Sequence, residues 1–245
     1  MEHFAANSIF HLGFLNVTNT LLNTLLVDII IFGFVYLIAK KLTSLPTLFQ
    51  SGVELVIEGF YNMTESIAEK NTGKIFPYFM TFFLFILVAN WSGLIPGVGS
   101  IGFFENGHLI PLFRGTTSDI NTTFALALVS AVATHTMSIT TIGIKNYLSR
   151  YFSFNPINLF VGVLEIISEI TKVVSLSFRL FGNIFAGEMV IITVAGIFAF
   201  LFPIPFLLLE IIVGLVQALV FSMLTMVFMA VLATPHGEHA KEVSH

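Results

Sequence analysis

Arg179, Glu188 and Glu210 each interrupt a long stretch of Phe, Ile, Leu and Val, and no opposite charge stands nearby in sequence to neutralise them. Arg179 lies in the segment SFRLFGNIFAGEM, residues 177–189. An arginine near the middle of a bilayer-spanning helix costs about 2.5 to 3.5 kcal/mol on insertion scales, so it persists where it faces a polar path or a charged partner. Asn183 follows at i+4, on the same helical face. Glu188, at i+9, falls on roughly the opposite face, about 13 Å along the axis. Gln217 comes two turns after Glu210 on nearly the same face. Carboxylates at such depth exchange ions, and a guanidinium that keeps its charge when buried sets a fixed local potential. The chemistry this set suits is ion movement.

Further polar residues are more ambiguous. Glu169 and Lys172 are spaced i, i+3 and Glu165 and Lys172 i, i+7, which suits an ion-pair cluster near the inner interface as well as a polar path. His135 lies inside an apolar run, where it is either bonded to a helix neighbour or a proton carrier. Asp28 is either near an interface, paired with a neighbouring helix, or on a proton path. His236, His239 and His245 close a polar tail, and a solvated segment accounts for them better than a metal site. No metal or cofactor is expected.

The elements that must hold these residues are membrane elements. Hydrophobic residues make up 56% of the 245 and charged residues only 10%, against about 25% charged in a soluble domain. The net charge of −4 comes without a basic block, which gives nucleic acid no surface to bind. There are no cysteines, so disulfides and thiolate metal sites are excluded. The pattern predicts a single membrane domain over 1–245. A first span covers about 21–39; Lys40 and Lys41 follow it, the reverse of a signal peptide's order, so it is expected to be retained. Over 46–70, Glu54, Glu58, Glu65 and Glu69 share an arc of about 60° opposite Val56, Phe60, Met63 and Ile67, predicting an amphipathic surface helix. Its polar side is acidic, which suits water or a protein better than anionic lipid.

A second span is expected over 75–95, with Pro77 in its first turn and NWSGLIPG at its exit, where Trp91 suits a membrane interface. A Gly-rich loop over 96–118 contains His108, to which no chemistry is assigned. Ser118 or Asp119 then caps a third span over 120–144. From Pro156 a helix runs to about 200, roughly twice the ~20 residues needed to cross, so it is kinked or strongly tilted. Pro203 and Pro205 break it, and a final helix covers 206–232 before the tail at 233–245. Lys40, Lys41, Lys70, Lys74, Lys145, Arg150 and Lys241 can share one side with Arg114 alone on the other, which puts the amino terminus outside and the carboxyl terminus inside. The fold class expected is an all-α polytopic membrane protein: an upright N-terminal span, a surface helix, two further spans and a long tilted C-terminal hairpin.

SFRLFGNIFAGE, with E-x6-Q at Glu210 and Gln217, resembles the subunit a family of F-type ATP synthases, the stationary half of a rotary membrane motor. KKLTSLPTLFQSGVELVIE, N-W-x-G-L-I-P at 90–96 and DINTTFALAL at 119–128 extend the resemblance over nearly the whole chain. The resemblance implies that Arg179 is the essential charge for ion translocation, with Asn183 one turn on. It implies that Glu188, Glu210 and Gln217 belong to a half-channel from the outer side and Glu165 to the inner path. Asp119 and His135 are further candidates. The family interchanges Glu and His at the places of Glu188 and Glu210, so which of the two relays the proton stays open.

The implied partners are a ring of proteolipid c subunits, peripheral-stalk b subunits, the rest of the ATP synthase, the lipid bilayer and protons. The implied location is a bacterial plasma membrane, before a mitochondrial inner one. The chain itself would be a non-catalytic, ion-translocating subunit. A ring carboxylate within ~4 Å of Arg179 would gain about 4 kcal/mol in its ionised form at an effective dielectric near 20, enough to expel its proton. A sodium-coupled form of the motor stays open, since the ring carboxylate's surroundings decide the ion. A stand-alone secondary transporter would be expected to show related halves around a midplane site, and no internal repeat is visible. A membrane scaffold would explain the helices but not Arg179 and Glu210.

Overall fold

The computed structural model describes residues 8–12, 15–40, 47–95, 101–105, 108–151, 156–197 and 202–234. These form helices α1 (Asn19–Lys40), α2 (Leu48–Ala68), α3 (Thr72–Leu94), α4 (Ile120–Ile142), α5 (Ile144–Tyr151), α6 (Pro156–Ile197) and α7 (Pro203–Ala233). Two short antiparallel hairpins accompany them: β1 (Ser8–Leu12) with β2 (Leu15–Thr18), and β3 (Gly102–Glu105) with β4 (His108–Pro111). The second hairpin falls within the segment 96–118 that the sequence pattern makes a Gly-rich loop, where the Asn-Gly pair at 106–107 is a dipeptide that favours two-residue hairpin turns. Four helical stretches are long and apolar enough to cross a bilayer: α1, α2 with α3, α4 and α7. The chain is an all-α polytopic membrane protein in its main body.

Local chemistry sets most helix ends. Thr47 caps α2 by accepting from the Gln50 N–H, and Asp119 caps α4 by accepting from the Asn121 N–H at 2.9 Å. Gly143, at φ +80°, turns the chain out of α4, a backbone conformation that glycine adopts without strain. α5 then forms a short separate helix where the sequence pattern had the third span simply continue to 144. α3 begins earlier than expected, at Thr72, which puts Pro77 in its second turn. α7 also begins earlier, because Pro203 occupies the first turn, where a missing N–H costs no hydrogen bond. α6 has 42 residues, ~63 Å at 1.5 Å per residue, about twice the bilayer's hydrocarbon thickness.

The bundle is organised around α7. Ile75 and Phe79 of α3 pack with Met226 and Met229 of α7, while Phe82 and Ile86 pack with Ala218 and Phe221, so the two helices run antiparallel. Ser130 bonds Thr225 and Ser138 donates to the Leu232 carbonyl, which makes α4 parallel to α7. Thr123 bonds Ser177 and His135 faces Glu169, which makes α4 antiparallel to α6. Phe60 of α2 sets its ring 4.9 Å from Phe83 and 5.4 Å from Phe79, docking α2 on α3. Asn23 of α1 donates to Ser92 of α3 and to Thr116 of a 3-10 turn, Thr116–Ser118. These pairings define two ends. One gathers the start of α1, the end of α3, the starts of α4 and α7 and the end of α6; the other gathers the end of α4, α5, the start of α6 and the end of α7.

Candidate functional site

Arg179 owes its direction to its neighbours on α6. Leu176, Ser177, Leu180 and Ile184 are buried against the bundle, and the Ser177 hydroxyl is tied to Thr123 at 3.3 Å. Those contacts fix the rotation of α6 and turn Ser175, Arg179 and Asn183 outward as an exposed stripe at one-turn spacing. The Arg179 Nη2 donates to Ser175 Oγ at 3.4 Å, and among the described residues it has no ion-pair partner. Around the stripe the same face is apolar, with Ile167, Ile170, Val174 and Phe178 all exposed. One fixed cation is therefore presented outward from an oily helix face.

The end containing the start of α7 is polar inside. Glu210 is only 3% exposed, and its Oε1 has no hydrogen-bond partner in the protein. Its carboxyl lies where a side chain on Gly187 of α6 would stand. Glu188, next in sequence to Gly187, is half-buried. One turn further along α7, Gly214 lies against Asn90, whose amide donates to the Gly214 carbonyl at 2.9 Å while its Oδ1 is left without a partner. Trp91 donates to the Ile211 carbonyl at 3.1 Å. Gln217 is half-buried on α7. The buried Thr117 hydroxyl also lacks a partner. Buried polar atoms without protein partners are the places that take up water or a transferred proton. Asp119 has a structural occupation here: it caps α4, accepts from the Asn121 side chain and receives the Thr20 hydroxyl at 3.1 Å.

The opposite end holds a charge network. Glu165 accepts from Arg150 Nε of α5 at 2.5 Å, and Arg150 also reaches the Val231 carbonyl of α7. Lys172 donates to Glu169 at 2.7 Å and lies 4.5 Å from the centre of the Phe228 ring. His135 brings its Nε2 to 3.9 Å from Glu169 and its Nδ1 to 2.9 Å from the Tyr147 hydroxyl. Tyr151 packs edge-on against Tyr147, and burial pushes its phenol well above the ordinary range. Two sequence expectations are corrected here. Glu165 pairs with Arg150, not with Lys172. The hydroxyl bonded to His135 belongs to α5, not to a neighbour on its own helix.

Along α6, Glu169 and Glu188 stand ten residues before and nine after Arg179, about 15 Å and 13.5 Å at helical rise. The structure thus has a polar interior at each end and an outward-facing cation between them. Asn90, Thr117 and Tyr147 also belong to this constellation, as does Arg150, which the sequence pattern marks only as a basic residue of the inner side; Asn90 lies in NWSGLIPG, where nothing in local periodicity distinguishes it from its neighbours. Arg114, assigned to a loop, is 9% exposed. Asp28 is half-buried on α1. His236, His239 and His245 lie outside the described residues. Among the described residues no group of three or more His, Asp or Glu is arranged to hold a metal ion.

Comparison with known proteins gives a consistent answer. A family model described as ATP synthase A chain matches residues 21–230. The chain is 34% identical to the ATP synthase subunit a of Moorella thermoacetica over 94% of its own length and 97% of that protein's. It is 34% identical to ATP synthase subunit a 2 of Pelobacter propionicus over 91% and 90% of the two chains. To the ATP synthase subunit a of Legionella pneumophila it is 32% identical over 94% and 92%.

Proposed function

The chain belongs to the ATP synthase A chain family, and from that premise we propose that it is the ion-channel stator of a rotary ATP synthase, a non-catalytic component of that complex. Its 245 residues act as one membrane domain whose two polar ends are offset half-channels. Glu210, Glu188, Gln217 and Asn90 serve the outer one, and Glu165 and Glu169 the inner one. Protons enter at one end, ride on the carboxylates of a rotating ring of c subunits, and leave at the other. Arg179, with Asn183 beside it, stands between. Its charge drives the proton off an arriving ring carboxylate and blocks direct passage between the channels.

The observation that carries this reading is the exposure of Arg179 on an apolar face midway along α6. A guanidinium turned toward lipid is costly, whereas one turned toward a passing carboxylate is stabilised. The 42-residue length of α6 suits a helix tilted along a curved partner surface rather than an upright span. Lys40 at the end of α1, Lys74 at the start of α3 and Lys145 and Arg150 on α5 support the assignment of that end to the inner face, with the amino terminus outside and the carboxyl terminus inside. Peripheral-stalk b subunits, the acidic face of α2 beside them, and a bacterial plasma membrane complete the proposal.

The test compares vesicles carrying assembled complexes. Arg179→Ala should abolish ATP-driven pumping and raise passive proton permeability, because the fixed potential between the channels is gone. Glu210→Gln should slow proton flow in both directions while the membrane stays tight. A leak from Glu210→Gln together with full coupling in Arg179→Ala would reverse the assignment.

A further inference from the structure

The imidazole of His135 lies between two partners on two other helices, and neither pairing is needed to close a helix or fill the core. Nδ1 faces the Tyr147 hydroxyl of α5 at 2.9 Å, and Nε2 faces Glu169 Oε2 of α6 at 3.9 Å. Lys172 occupies the other oxygen of Glu169, leaving Oε2 to the histidine. The remaining charged and titratable groups of the cluster are accounted for: Glu165 by Arg150, and Tyr151 against Tyr147, while α7 contributes the Phe228 ring and the Val231 carbonyl. Two carboxylates balance two cations, so a neutral imidazole leaves the cluster uncharged. The His135 side chain is 29% exposed, while Glu169 behind it is 16% exposed.

We propose that His135, held by Tyr147, is a proton-collecting residue that feeds Glu169 at the inner end. This rests on the half-channel reading above. In the neutral state Nδ1–H is donated to the Tyr147 oxygen, which leaves the Nε2 lone pair toward Glu169 and water. In ATP-driven pumping a hydronium gives its proton to Nε2, forming imidazolium. A side-chain movement that closes the 3.9 Å gap to hydrogen-bond distance then passes that proton to the Glu169 carboxylate, which hands it on towards the ring, and His135 returns to its starting tautomer. In synthesis the same steps run in reverse. Each step moves one proton and needs no other reactant. Tyr147 is the positioning residue, since its oxygen selects the tautomer that can accept on the Glu169 side.

Inverted vesicles expose the inner face to the buffer, so pumping can be followed against inner-face pH. A collecting histidine matters most where hydronium is scarce. His135→Gln, which keeps hydrogen bonding but cannot titrate, should lower the pumping rate roughly tenfold near pH 8 and little near pH 6; the loss stays below the usual 10²–10⁴ of acid–base catalysis because Glu165 and Glu169 still accept protons. Tyr147→Phe should reproduce part of the loss with the same pH dependence. The response to pH on the other face should not change. Rates are taken per incorporated complex, which separates the relay from an assembly defect. A pH profile of His135→Gln that overlays the unmodified complex, or a loss independent of pH, overturns the proposal. Arg179→Ala in the same vesicles distinguishes the two levels: if it still pumps, the half-channel reading itself is wrong.

Discussion

Gly187 has no side chain, and that decides where Glu210 can sit. The carboxyl of Glu210 fills the space a Cβ on residue 187 would need, so Gly187→Ala must push it aside. The obstacle is the end of a flexible side chain rather than backbone, so the helices should stay packed and the carboxyl should move. The expected outcome is a full complement of assembled complex with slowed pumping and no passive leak. Glu210→Asp, shorter by one methylene, should recover part of the rate in the Gly187→Ala background, as measured by pumping in vesicles. Equal rates in the single and double variants would show that the contact is unimportant. Sequence gave Glu210 its prominence through its solitude among apolar residues. It gave no hint of Gly187, because a close pass between residues 187 and 210 depends on how α6 and α7 lie together and leaves no trace in local periodicity.

At the scale of elements, α5 is the piece whose position was least legible. The pattern before it could be read as the tail of the preceding span, and the reversal at Gly143 depends on one backbone angle. Once turned, α5 comes so close to α6 that a Cβ on Gly162 would meet the Tyr151 carbonyl. That approach brings Arg150 to Glu165, both side chains mostly buried at 10% and 17% exposure. Removing one partner leaves an uncompensated charge, which for well-buried pairs costs about 3–5 kcal/mol and here somewhat less. Arg150→Ala should therefore reduce the amount of subunit retained in membranes, and the exchange Arg150→Glu with Glu165→Arg should restore it. Retention unchanged in Arg150→Ala would make the pair dispensable. By contrast, the outward stripe of Arg179 and Asn183 was legible beforehand, because i, i+4 spacing on a single helix needs no knowledge of neighbours. The acidic arc of α2 was legible for the same reason: Glu54, Glu58 and Glu65 are exposed on α2 and Glu69 is exposed in the 3-10 turn that follows it, while Phe60, Met63 and Ile67 pack against the core; Val56, expected on that apolar face, is instead exposed.

For the whole molecule, the arrangement predicts sidedness. Cysteines placed at Glu58 and Glu65 of α2 should react with a membrane-impermeant reagent from the inner face only, since α2 leads directly into the Lys70 and Lys74 end of α3. Labelling from the outer face would overturn the orientation. The exposed stripe on α6 has a different consequence, which concerns the order in which the complex is built. A newly made chain that enters the bilayer alone would turn Arg179 toward acyl chains, at a cost of about 2.5 to 3.5 kcal/mol, with the Ser175 hydroxyl beside it. In the orphan chain α6 is therefore expected to sit less deeply in the bilayer and to be cut more readily by proteases. Synthesis without its partners should yield a short-lived chain whose half-life lengthens when Arg179 is replaced by leucine, so the residue that would make the motor selective also makes the unassembled subunit recognisable as surplus.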